Sequence, residues 1–466
     1  MSFVPAIGGV AGPKGPVSDP GMDRAGLKGL KVWVHVLGCR SNLCEGDFLT
    51  GALEARGASV SREPEGAEAA VLVTCAVTAE AERKCRQLVH RARRAVGDRG
   101  LVAVCGCWAQ AADSGDARKL GVDLLVGSRG KSRLPDALEA MANRLPFDGE
   151  RPFQDLRTLP PIEGWEEMPL RDTGLHTRAF VKVQDGCAHF CTYCIIPFLR
   201  GRPVSRPVEN VLAEVRRLVE GGCREVVLTG IHLGTYGRDT DSSLAELIRV
   251  LSGVEGLERL RLGSLEPFSL DEALLDALEE SPVFCPHLHL PLQSGDDGIL
   301  SLMRRGYTAE EFARVCGAAR AHLGDDRHIS SDILVGFPGE DEAAFQNTLS
   351  LMHRVCLGRV HVFPFSPRPG TAAAQMPDRP APEVRDDRAA RALALGRELL
   401  EKYAESFIDR ELDVLAEEPE QEGWYRGHIP HFLEARWDTE ENVEPNETVR
   451  IRVRSVSGGR LEGVTL

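Results

Sequence analysis

Three cysteines lie within eight residues of one another, at Cys187, Cys191 and Cys194. Cysteine thiolates bind zinc and iron–sulfur clusters, and both kinds of site normally have four protein ligands. A 4Fe–4S cluster that is held by three thiolates keeps one iron open for another ligand. The spacing C-x3-C-x2-C therefore favours an iron–sulfur cluster with one open iron.

Two other interpretations of these cysteines stay open. The spacing i, i+4, i+7 also fits the buried face of a helix. Gly186, the β-branched Thr192 and Ile195–Ile196, and Pro197 all disfavour a helix at this place. A zinc site would need a fourth ligand, but no second C-x2-C pair follows, and His189 is a weak candidate inside the loop. The spacing thus favours an open cluster over zinc, and zinc over a packed helix face.

A second set of three cysteines is spread over the first quarter of the chain. Three short apolar runs there predict buried parallel strands: Lys31–Leu37, Ala69–Val73 and Leu101–Val104. Cys39, Cys75 and Cys107 follow these runs, and ligands of an open parallel sheet collect beyond the carboxyl ends of its strands. We therefore expect the three thiols to converge on a second cluster with an open iron. Cys105 competes with Cys107, but it lies within its apolar run and is assigned to packing.

The composition indicates the number of domains and the cellular compartment. A chain of 466 residues is long enough for two to three domains. Thirteen cysteines are too few for a disulfide scaffold and odd in number, and no secretory signal is visible. These features predict a reduced, cytoplasmic compartment. No stretch approaches the roughly 20 apolar residues of a membrane span, so no membrane partner is expected.

Charge limits the nucleic-acid partners. The net charge of −14 argues against a surface that binds nucleic acid everywhere. Salt screens exposed charges over about 8 Å, so local basic patches determine where nucleic acid could bind. In the segment 83–99 a single acid, Asp98, accompanies Arg83, Lys84, Arg86, Arg91, Arg93, Arg94 and Arg99. In the segment 171–206 two acids, Asp172 and Asp185, accompany Arg171, Arg178, Lys182, Arg200, Arg202 and Arg206. Each segment is either a solvated face or an RNA contact, and the second flanks the cysteine loop, which favours a function.

The predicted elements divide the first third of the chain into three parts. The glycine- and proline-rich segment 1–30 is predicted to be a disordered extension. The alternation of strands and helices over 31–143 predicts an open parallel α/β domain. Residues 144–172 contain Leu159-Pro160-Pro161 and the acidic Glu163–Glu167, which predict a linker.

The remaining two parts are predicted as a partial barrel and a small β-barrel. Over 173–401, six strand–helix units predict a partial (β/α)6 barrel that is open on one side. Its strands are expected at Ala179–Gln184, Glu225–Thr229, Leu260–Gly263, His287–Leu292, Ile329–Val335 and Arg359–Phe363. Over 402–466, a small β-barrel is expected from alternating strands at Leu412–Ala416, Trp424–His428, Phe432–Arg436 and Val449–Val456, with a turn at Ser457-Gly458-Gly459.

With both cysteine sets placed, the chain resembles the methylthiotransferases of the radical S-adenosylmethionine superfamily over about residues 30–466. The matching stretches are LGCRSN, VTCAVTAEAERKCRQ, CGCWAQ, QDGCAHFCTYCIIP, LTGIHLGTYG, HLPLQSGDDGILSLMRRGYT, DILVGFPGE and HVFPFSPRPGTAAAQMP. Within the family, AVTAEAERKCRQ, LVGSRGKSRLP, VVLTGIHLGTYG and HVFPFSPRPGTAAA are most similar to the branch that acts on threonylcarbamoyladenosine beside the tRNA anticodon.

The resemblance implies two 4Fe–4S clusters and S-adenosylmethionine as cofactors. Cys187, Cys191 and Cys194 would hold the cluster whose open iron binds S-adenosylmethionine and starts radical chemistry at carbon 2 of the adenine. Cys39, Cys75 and Cys107 would hold the auxiliary cluster, which presents the methylthio sulfur. Contacts to S-adenosylmethionine are implied for Tyr193, Thr229, Gly230, Glu266, Gln293, Ser294 and Asp332. No side chain is implied to act as a separate catalytic group, since the cofactors carry the chemistry.

The resemblance also implies partners and alternatives. The expected partners are the anticodon stem-loop of tRNA and an electron-donor protein such as a flavodoxin or ferredoxin, whereas DNA is not expected. The residues from about 402 resemble the RNA-contacting β-barrel called TRAM. Sister enzymes modify isopentenyladenosine in tRNA or an aspartate of a ribosomal protein, and both remain alternatives. A non-catalytic iron–sulfur protein that binds RNA is a third alternative, although it has no evident need for two open clusters.

Two departures from the family pattern bear on this interpretation. Val73 stands where the family usually has Asn before Thr-Cys, which can change a contact around a cluster ligand. The TRAM-like region is unusually acidic, with 16 acidic and 8 basic residues over 401–466. Arg450, Arg452 and Arg454 on one predicted strand are the remaining hint of RNA binding there.

Overall fold

The computed structural model describes residues 26–145, 151–158, 164–171, 177–421, 423–439 and 441–466. Most of the predicted extension 1–30 and part of the predicted linker 144–172 lie outside the described residues. The structure is of the α/β class and contains parallel sheets followed by a closed β-barrel, as predicted. Of the described helices, none combines the length and the apolar character needed to cross a membrane.

The N-terminal part is a six-stranded parallel sheet in the order β2-β1-β3-β4-β5-β6. Its strands are β1 Lys31–Val36, β2 Ser59–Ser61, β3 Ala69–Thr74, β4 Leu101–Gly106, β5 Leu124–Leu125 and β6 Gln154–Asp155. Its helices are α1 Arg40–Glu54, α2 Ala79–Val96, α3 Cys107–Ala111, α4 Ser114–Lys119 and α5 Leu134–Ala142. The three predicted strands are confirmed as β1, β3 and β4, and the three short strands were not predicted.

Both faces of this sheet are covered, which explains why its central strands are apolar throughout. Every residue of β3 and β4 is buried. Residues of α1 and α5 pack on one face, and residues of α2 pack on the other. Because neither face meets water, alternation of polar and apolar residues is absent from these strands.

The central part is a partial barrel of six parallel strands. They are β7 Arg178–Lys182, β10 Glu225–Thr229, β11 Arg259–Leu262, β12 His287–His289, β13 His328–Val335 and β14 Arg359–Pro364. The strands pair in two groups of three, and single bridges between Leu260 and Phe284 and between Ser264 and His289 join the groups. The predicted (β/α)6 barrel is therefore confirmed. A separate antiparallel pair, β8 Gln184–Asp185 and β9 Val204–Ser205, brackets the cysteine loop.

Seven helices accompany the barrel strands. They are α6 Ile196–Arg200, α7 Val208–Glu220, α8 Leu244–Ser252, α9 Glu272–Glu280, α10 Asp297–Met303, α11 Ala309–Leu323 and α12 Glu342–Arg354. The long α13 Pro382–Glu405 then packs against β14 and leads to the C-terminal part. On the open side of the barrel, α1 lies against the edge strand β7, and the Cys44 thiol donates to the Phe180 carbonyl at 2.8 Å. The N-terminal part thus covers the side that six strands leave open.

The C-terminal part is a closed barrel in the order β15-β16-β17-β19-β18. Its strands are β15 Glu411–Gln421, β16 Trp424–His428, β17 Glu434–Asp438, β18 Thr448–Ser457 and β19 Arg460–Thr465. The predicted turn at 457–459 is confirmed, because Gly458 and Gly459 have positive φ and join β18 to the unpredicted β19. The strand predicted at Phe432–Arg436 begins at Glu434, since Phe432 has a φ of 62° and lies in a loop.

Candidate metal centres

The first cysteine set lies in an irregular loop between β8 and α6. None of Cys187, Cys191 and Cys194 is in a helix, and α6 begins only at Ile196 with Pro197 in its first turn. All three thiols are partly exposed, unlike residues of a packed core. The predicted alternative of a buried helix face is therefore wrong. The amide of Cys194 donates to the carbonyl of Cys191 at 2.9 Å, which holds these two residues on one tight turn.

The second cysteine set lies at the carboxyl ends of three neighbouring strands. Cys39 caps α1 just after β1, Cys75 follows β3, and Cys107 is the first residue of α3 after β4. The order β1-β3-β4 in the sheet brings the three loops side by side, as the sequence predicts. Gly38 lies so close to Cys75 that a Cβ at Gly38 would be 2.8 Å from the Cys75 Cβ. Cys105 is buried in β4 and packs in the apolar core, as assigned.

Asn42 fixes the loops of this second set. Its amide Nδ2 donates to the carbonyls of Leu37 at 2.6 Å and Thr74 at 3.1 Å, which precede Cys39 and Cys75. Its Oδ1 accepts from Nη2 of Arg200 at 3.0 Å. One buried side chain therefore ties two strand ends to the barrel part. Val73, where the family usually has Asn, is buried in the core.

Both cysteine sets suit a group larger than one metal ion. Among the described residues, one group of three metal-binding side chains has all its donor atoms within 4.8 Å of one another: Asp276, Glu279 and His322. The sulfurs of neither cysteine set lie this close together. A tetrahedral zinc ion with Zn–S bonds of about 2.3 Å would hold its sulfurs closer together than that. An iron–sulfur cluster separates its thiolates more widely, so the spacing fits a cluster better than zinc. His189 stacks on Phe268, with ring centroids 5.2 Å apart.

Thiols of both cysteine sets lie where a thiol on its own stays protonated. Burial raises the pKa of Cys187 to about 11 and that of Cys194 to about 12. Burial, together with the nearby Cys107 and Cys39 thiols, raises the pKa of Cys75 far above its usual range. Metal ligands must be deprotonated, and the positive charge of iron is what favours the thiolate form in such surroundings. The three thiols at each place could therefore serve as thiolate ligands only together with the iron of a cluster.

A buried arginine contacts each cysteine set, and sequence reasoning did not single out either contact. Arg200 donates from Nε to the Cys107 sulfur at 3.3 Å, and Arg305 donates from Nη1 to the Cys191 sulfur at 3.2 Å. Their exposed fractions are 0% and 2%. A hydrogen bond to a cluster sulfur changes the reduction potential of the cluster. The motif MRRGYT, which contains Arg305, was the available signal for the second contact.

The expectation of a functional surface at 171–206 is wrong for three of its basic residues, because Lys182, Arg200 and Arg206 are buried. Arg200 Nη1 lies 2.8 Å from Glu45 and 3.2 Å from Asp185, and Lys182 Nζ contacts the same two carboxylates at 2.8 and 2.6 Å. These ion pairs join α1 of the N-terminal part to the barrel. The charges serve this internal network, since a buried charge without a partner is costly.

The first basic segment, 83–99, lies largely on α2 and is partly neutralised. Arg83 pairs with Glu80 at 2.6 Å, and Arg86 lies 3.7 Å from Glu82. Arg94 and Arg99 are exposed. On the C-terminal barrel, Arg450 and Arg452 both pair with Glu411, at 3.6 and 2.7 Å, whereas Arg454 is exposed. The exposed basic surface is thus smaller than the sequence suggested.

The residues predicted to contact S-adenosylmethionine lie at or near the carboxyl ends of the barrel strands, apart from Tyr193 in the cysteine loop. Arg305 brings two of them together, because it donates to the Tyr193 hydroxyl at 3.4 Å and forms a short ion pair with Glu266. Gln293 has a φ of 67°, an uncommon conformation for a non-glycine residue that often marks a functional place. Asp332 accepts from His289 Nε2 at 3.2 Å.

The other three candidates have evident structural contacts. Ser294 is buried, and its hydroxyl lies 3.4 Å from that of Thr348 and accepts from the Asp296 amide at 3.2 Å. The Thr229 carbonyl accepts from the Val183 amide at 2.9 Å. A Cβ at Gly230 would lie 2.9 Å from the Gln184 side chain, so the strand end needs glycine there.

Two family models match the chain. The radical SAM superfamily matches residues 181–352, which include the first cysteine set. A family described as uncharacterized protein family UPF0004 matches residues 31–127, which include the second set.

Several curated proteins are similar to the chain over most of its length. The threonylcarbamoyladenosine tRNA methylthiotransferase MtaB of Bacillus subtilis is 33% identical over 88% of this chain and 91% of its own length. The tRNA-2-methylthio-N(6)-dimethylallyladenosine synthase of Syntrophotalea carbinolica is 35% identical over 89% of this chain and 93% of its own length. MtaB of Thermotoga maritima is 33% identical over 92% of this chain and 95% of its own length.

Among solved structures, the radical S-adenosylmethionine methyltransferase TsrM of Kitasatospora setae, with cobalamin and a [4Fe-4S] cluster bound, is similar in fold. The TM-score is 0.56, and the match covers 74% of this chain and 77% of TsrM. The sequence identity is 17%, so the likeness concerns the fold alone.

Proposed function

The chain belongs to the radical S-adenosylmethionine methylthiotransferases, and from this premise we propose that it adds a methylthio group at carbon 2 of N6-threonylcarbamoyladenosine in tRNA. Membership makes the protein an enzyme that uses S-adenosylmethionine and 4Fe–4S clusters. It also decides against the alternative of a non-catalytic iron–sulfur protein.

We assign the two cysteine sets to two clusters. Cys187, Cys191 and Cys194 would hold the one beside the barrel mouth, and Cys39, Cys75 and Cys107 the auxiliary one. When bound, the clusters and S-adenosylmethionine supply the electron, the radical and the methylthio sulfur. The support for this assignment is the spacing of the thiols and their position in one loop and at three neighbouring strand ends. Of the predicted contacts to S-adenosylmethionine, Tyr193, Glu266, Gln293 and Asp332 are supported by their polar groups at the mouth of the barrel, and Thr229, Gly230 and Ser294 would shape the wall.

The observation that carries the choice of nucleoside is the charge of the barrel interior. The guanidinium carbons of Arg40, Arg178, Arg261 and Arg359 lie 5.0 to 6.0 Å from the centre of the Phe432 ring. A threonylcarbamoyl group carries a carboxylate, whereas a dimethylallyl group is a hydrocarbon. Arg178 and Arg261 are paired with Glu225, whereas Arg40 and Arg359 have no ion pair within the described residues. A hydrocarbon placed against Arg40 and Arg359 would leave these two cations unpaired, which is costly, whereas a carboxylate would pair with them.

A second candidate substrate is dimethylallyladenosine in tRNA. Its support is the identity of 34–35% to synthases of the methylthio form of that nucleoside, over 89–94% of this chain. Overall identity does not separate the two candidates, because it is 33% to the threonylcarbamoyladenosine enzymes. The choice between the two nucleosides therefore rests on the charged residues inside the partial barrel.

The partners and the arrangement of the chain follow from this assignment. We propose that the anticodon stem-loop of tRNA binds across the barrel mouth and the exposed Arg94 and Arg99, and that a flavodoxin or ferredoxin supplies electrons in the cytoplasm. We also propose that the working units are residues 31–143 with the auxiliary cluster, 173–401 with the radical chemistry and 402–466 as an RNA-contacting barrel, with 144–172 as their linker.

Mass spectrometry of tRNA nucleosides from a deletion strain tests the proposed substrate. The methylthio form of threonylcarbamoyladenosine is expected to disappear and its unmethylthiolated precursor to accumulate. Loss of the methylthio form of dimethylallyladenosine instead would establish the second candidate. An unchanged nucleoside profile would contradict both and point to an aspartate of a ribosomal protein as the target.

A further inference from the structure

The interior of the partial barrel is lined by charged residues near the amino-terminal ends of its strands. Arg178 lies on β7, Glu225 on β10, Arg259 and Arg261 on β11, and Arg359 on β14. The loop after β16 of the C-terminal barrel closes this end and places Phe432 among them. Phe432 stacks on His287 of β12, with ring centroids 4.9 Å apart.

Three of these four arginines form ion pairs within the protein. Glu225 lies 2.9 Å from Arg178, 3.6 Å from Arg259 and 2.8 Å from Arg261. Arg178 also pairs with Glu417 at 2.5 Å. Arg259 and Arg261 donate to the carbonyls of the C-terminal barrel at His428, Ile429, Pro430 and Asp413, at 2.7 to 3.1 Å. These three arginines attach the C-terminal barrel to the base of the partial barrel.

Arg40 enters the same interior from a different part of the chain and has no such partner. It follows Cys39 directly and begins α1, and its guanidinium lies 5.9 Å from the centre of the Phe432 ring. Within the described part of the chain its side chain has neither a hydrogen bond nor an ion pair. The cations Arg178 and Arg261 face it, and Asp332 is the carboxylate that faces it. Asp332 is itself held by His289 at 3.2 Å.

A guanidinium in this position is short of negative charge. It is half-buried, and the cations Arg178 and Arg261 offset the attraction of Asp332 and of the Cys39 thiol. Arg359, across the Phe432 ring at 6.0 Å, likewise has no ion pair in the described ranges. Arginine binds carboxylates through two parallel N–H groups. An entering carboxylate would therefore gain charge-assisted hydrogen bonds that the protein alone does not supply.

We propose that Arg40 binds the carboxylate of the threonylcarbamoyl group on the target adenosine. The inference rests on the proposed function and identifies Arg40 as the residue that recognises the substrate. Because Arg40 adjoins Cys39 in the chain, a nucleoside anchored on Arg40 lies close to the auxiliary site. A dimethylallyl group offers no anion and leaves the Arg40 guanidinium desolvated and unpaired, so the same residue selects against it.

Wild-type reconstituted enzyme supplies the first test. Three anticodon stem-loop RNAs differ only in the target adenosine, which carries the threonylcarbamoyl acid, its primary amide or a dimethylallyl group. Affinity is measured by fluorescence anisotropy at one salt concentration, and kcat/KM by mass spectrometry. The acid is expected to bind roughly tenfold or more tightly than the amide, because a charged hydrogen bond is lost. Equal affinity for acid and amide would overturn the role of Arg40.

The variants Arg40→Gln and Arg40→Lys supply the second test, with Arg249→Gln as the control, since Arg249 is exposed on α8 and pairs with Glu280. Arg40→Gln should lose roughly 10- to 100-fold in kcat/KM on the acid, mainly through KM, and should lose the preference for acid over amide. Arg40→Lys should keep part of that preference, and the control should keep all of it. Iron content and the electron paramagnetic resonance spectrum report whether the neighbouring cluster is intact.

The outcomes distinguish a failure of the inference about Arg40 from a failure of the proposed function. Retention of the wild-type acid preference by Arg40→Gln would overturn the inference and leave the proposed function standing. Wild-type enzyme that methylthiolates only the dimethylallyl RNA would overturn the proposed function, and the inference with it. If Arg40→Gln loses iron, the comparison of acid with amide on the wild type and on Arg40→Lys still tests whether Arg40 binds the carboxylate.

Discussion

Arg200 Nε lies 3.3 Å from the sulfur of Cys107, and Arg200 itself follows Cys194 by six residues in the chain. One short segment, from the loop of the first cysteine set through α6, therefore reaches a cysteine of the second set. The two sets belong to different parts of the fold, so this contact fixes the second cysteine set relative to the barrel mouth. Such fixed geometry is what a transfer between two centres requires.

Replacing Arg200 should destabilise the protein strongly. In Arg200→Met the buried carboxylates Glu45 and Asp185 lose a partner 2.8 to 3.2 Å away. Removing one member of a buried ion-pair network costs about 3–5 kcal/mol. Arg249→Met removes an exposed pair and should cost no more than about 1 kcal/mol. Thermal unfolding of the reconstituted proteins, followed by circular dichroism, checks this difference. Equal midpoints for the two variants would show that the network does not hold the parts together.

Replacing Arg305 should make the first cluster harder to reduce. Arg305→Gln removes a buried positive charge and a 3.2 Å hydrogen bond at the Cys191 sulfur. Both effects stabilise the reduced, more negative cluster, so their loss should lower its reduction potential. A redox titration followed by electron paramagnetic resonance measures the shift. Arg304→Gln, at the exposed neighbouring position, is the control and should leave the potential unchanged. The same potential in both variants would argue against a role for Arg305 at the cluster.

The position of the second cysteine set at three strand ends could be predicted because it follows from local order, whereas its role as a set of cluster ligands stays a prediction. A cysteine just after an apolar strand lies at the carboxyl end of a sheet whatever the rest of the fold does. Arg200 and Arg305 were missed because their contacts with Cys107 and Cys191 span 93 and 114 residues. Those contacts depend on how two parts of the fold dock, and no periodicity of the sequence records that.

The errors of prediction have equally physical causes. Lys182 and Arg206 were assigned to a basic surface because charge in a sequence does not reveal burial, and only the paired carboxylates make their burial tolerable. The strands β2, β5 and β6 have two or three residues each, too few to show alternation. Strand β19 was missed because Glu462 and Gly463 interrupt its apolar pattern.

Single cysteine substitutions should remove one cluster at a time. Cys191→Ala should lose about half of the bound iron and all cleavage of S-adenosylmethionine, while the auxiliary cluster stays. Cys75→Ala should also lose about half of the iron but should still cleave S-adenosylmethionine without methylthio insertion. Iron analysis and Mössbauer spectroscopy of the purified proteins measure the loss.

The matched control for both variants is Cys356→Ala, because Cys356 is an exposed free cysteine outside both sets. It should keep full iron and full turnover. Full turnover by Cys191→Ala would refute the assignment of the first set, and unchanged iron in Cys75→Ala would refute that of the second.

Acid should destabilise the fold through its buried histidines, beginning below about pH 6.5. Burial lowers the pKa of His328 to about 3 and that of His431 to about 4. In the unfolded chain these groups bind protons near pH 6.5, so below that pH the unfolded state holds more protons. Stability therefore falls as pH falls, by up to about 1.4 kcal/mol per pH unit for each such histidine, until the folded-state pKa is reached.

Thermal midpoints between pH 7.5 and 5 measure this slope. His328 is fully buried, and its Nδ1 lies 2.7 Å from the His431 carbonyl, so His328→Asn keeps a polar group there without a titrating one. This variant should be less stable at pH 7.5 but should show a shallower dependence on pH, because one linked proton is gone. His353→Asn, at an exposed position on α12, is the control and should keep the wild-type slope. If the slope of His328→Asn matches that of the control, the acid sensitivity arises from other groups.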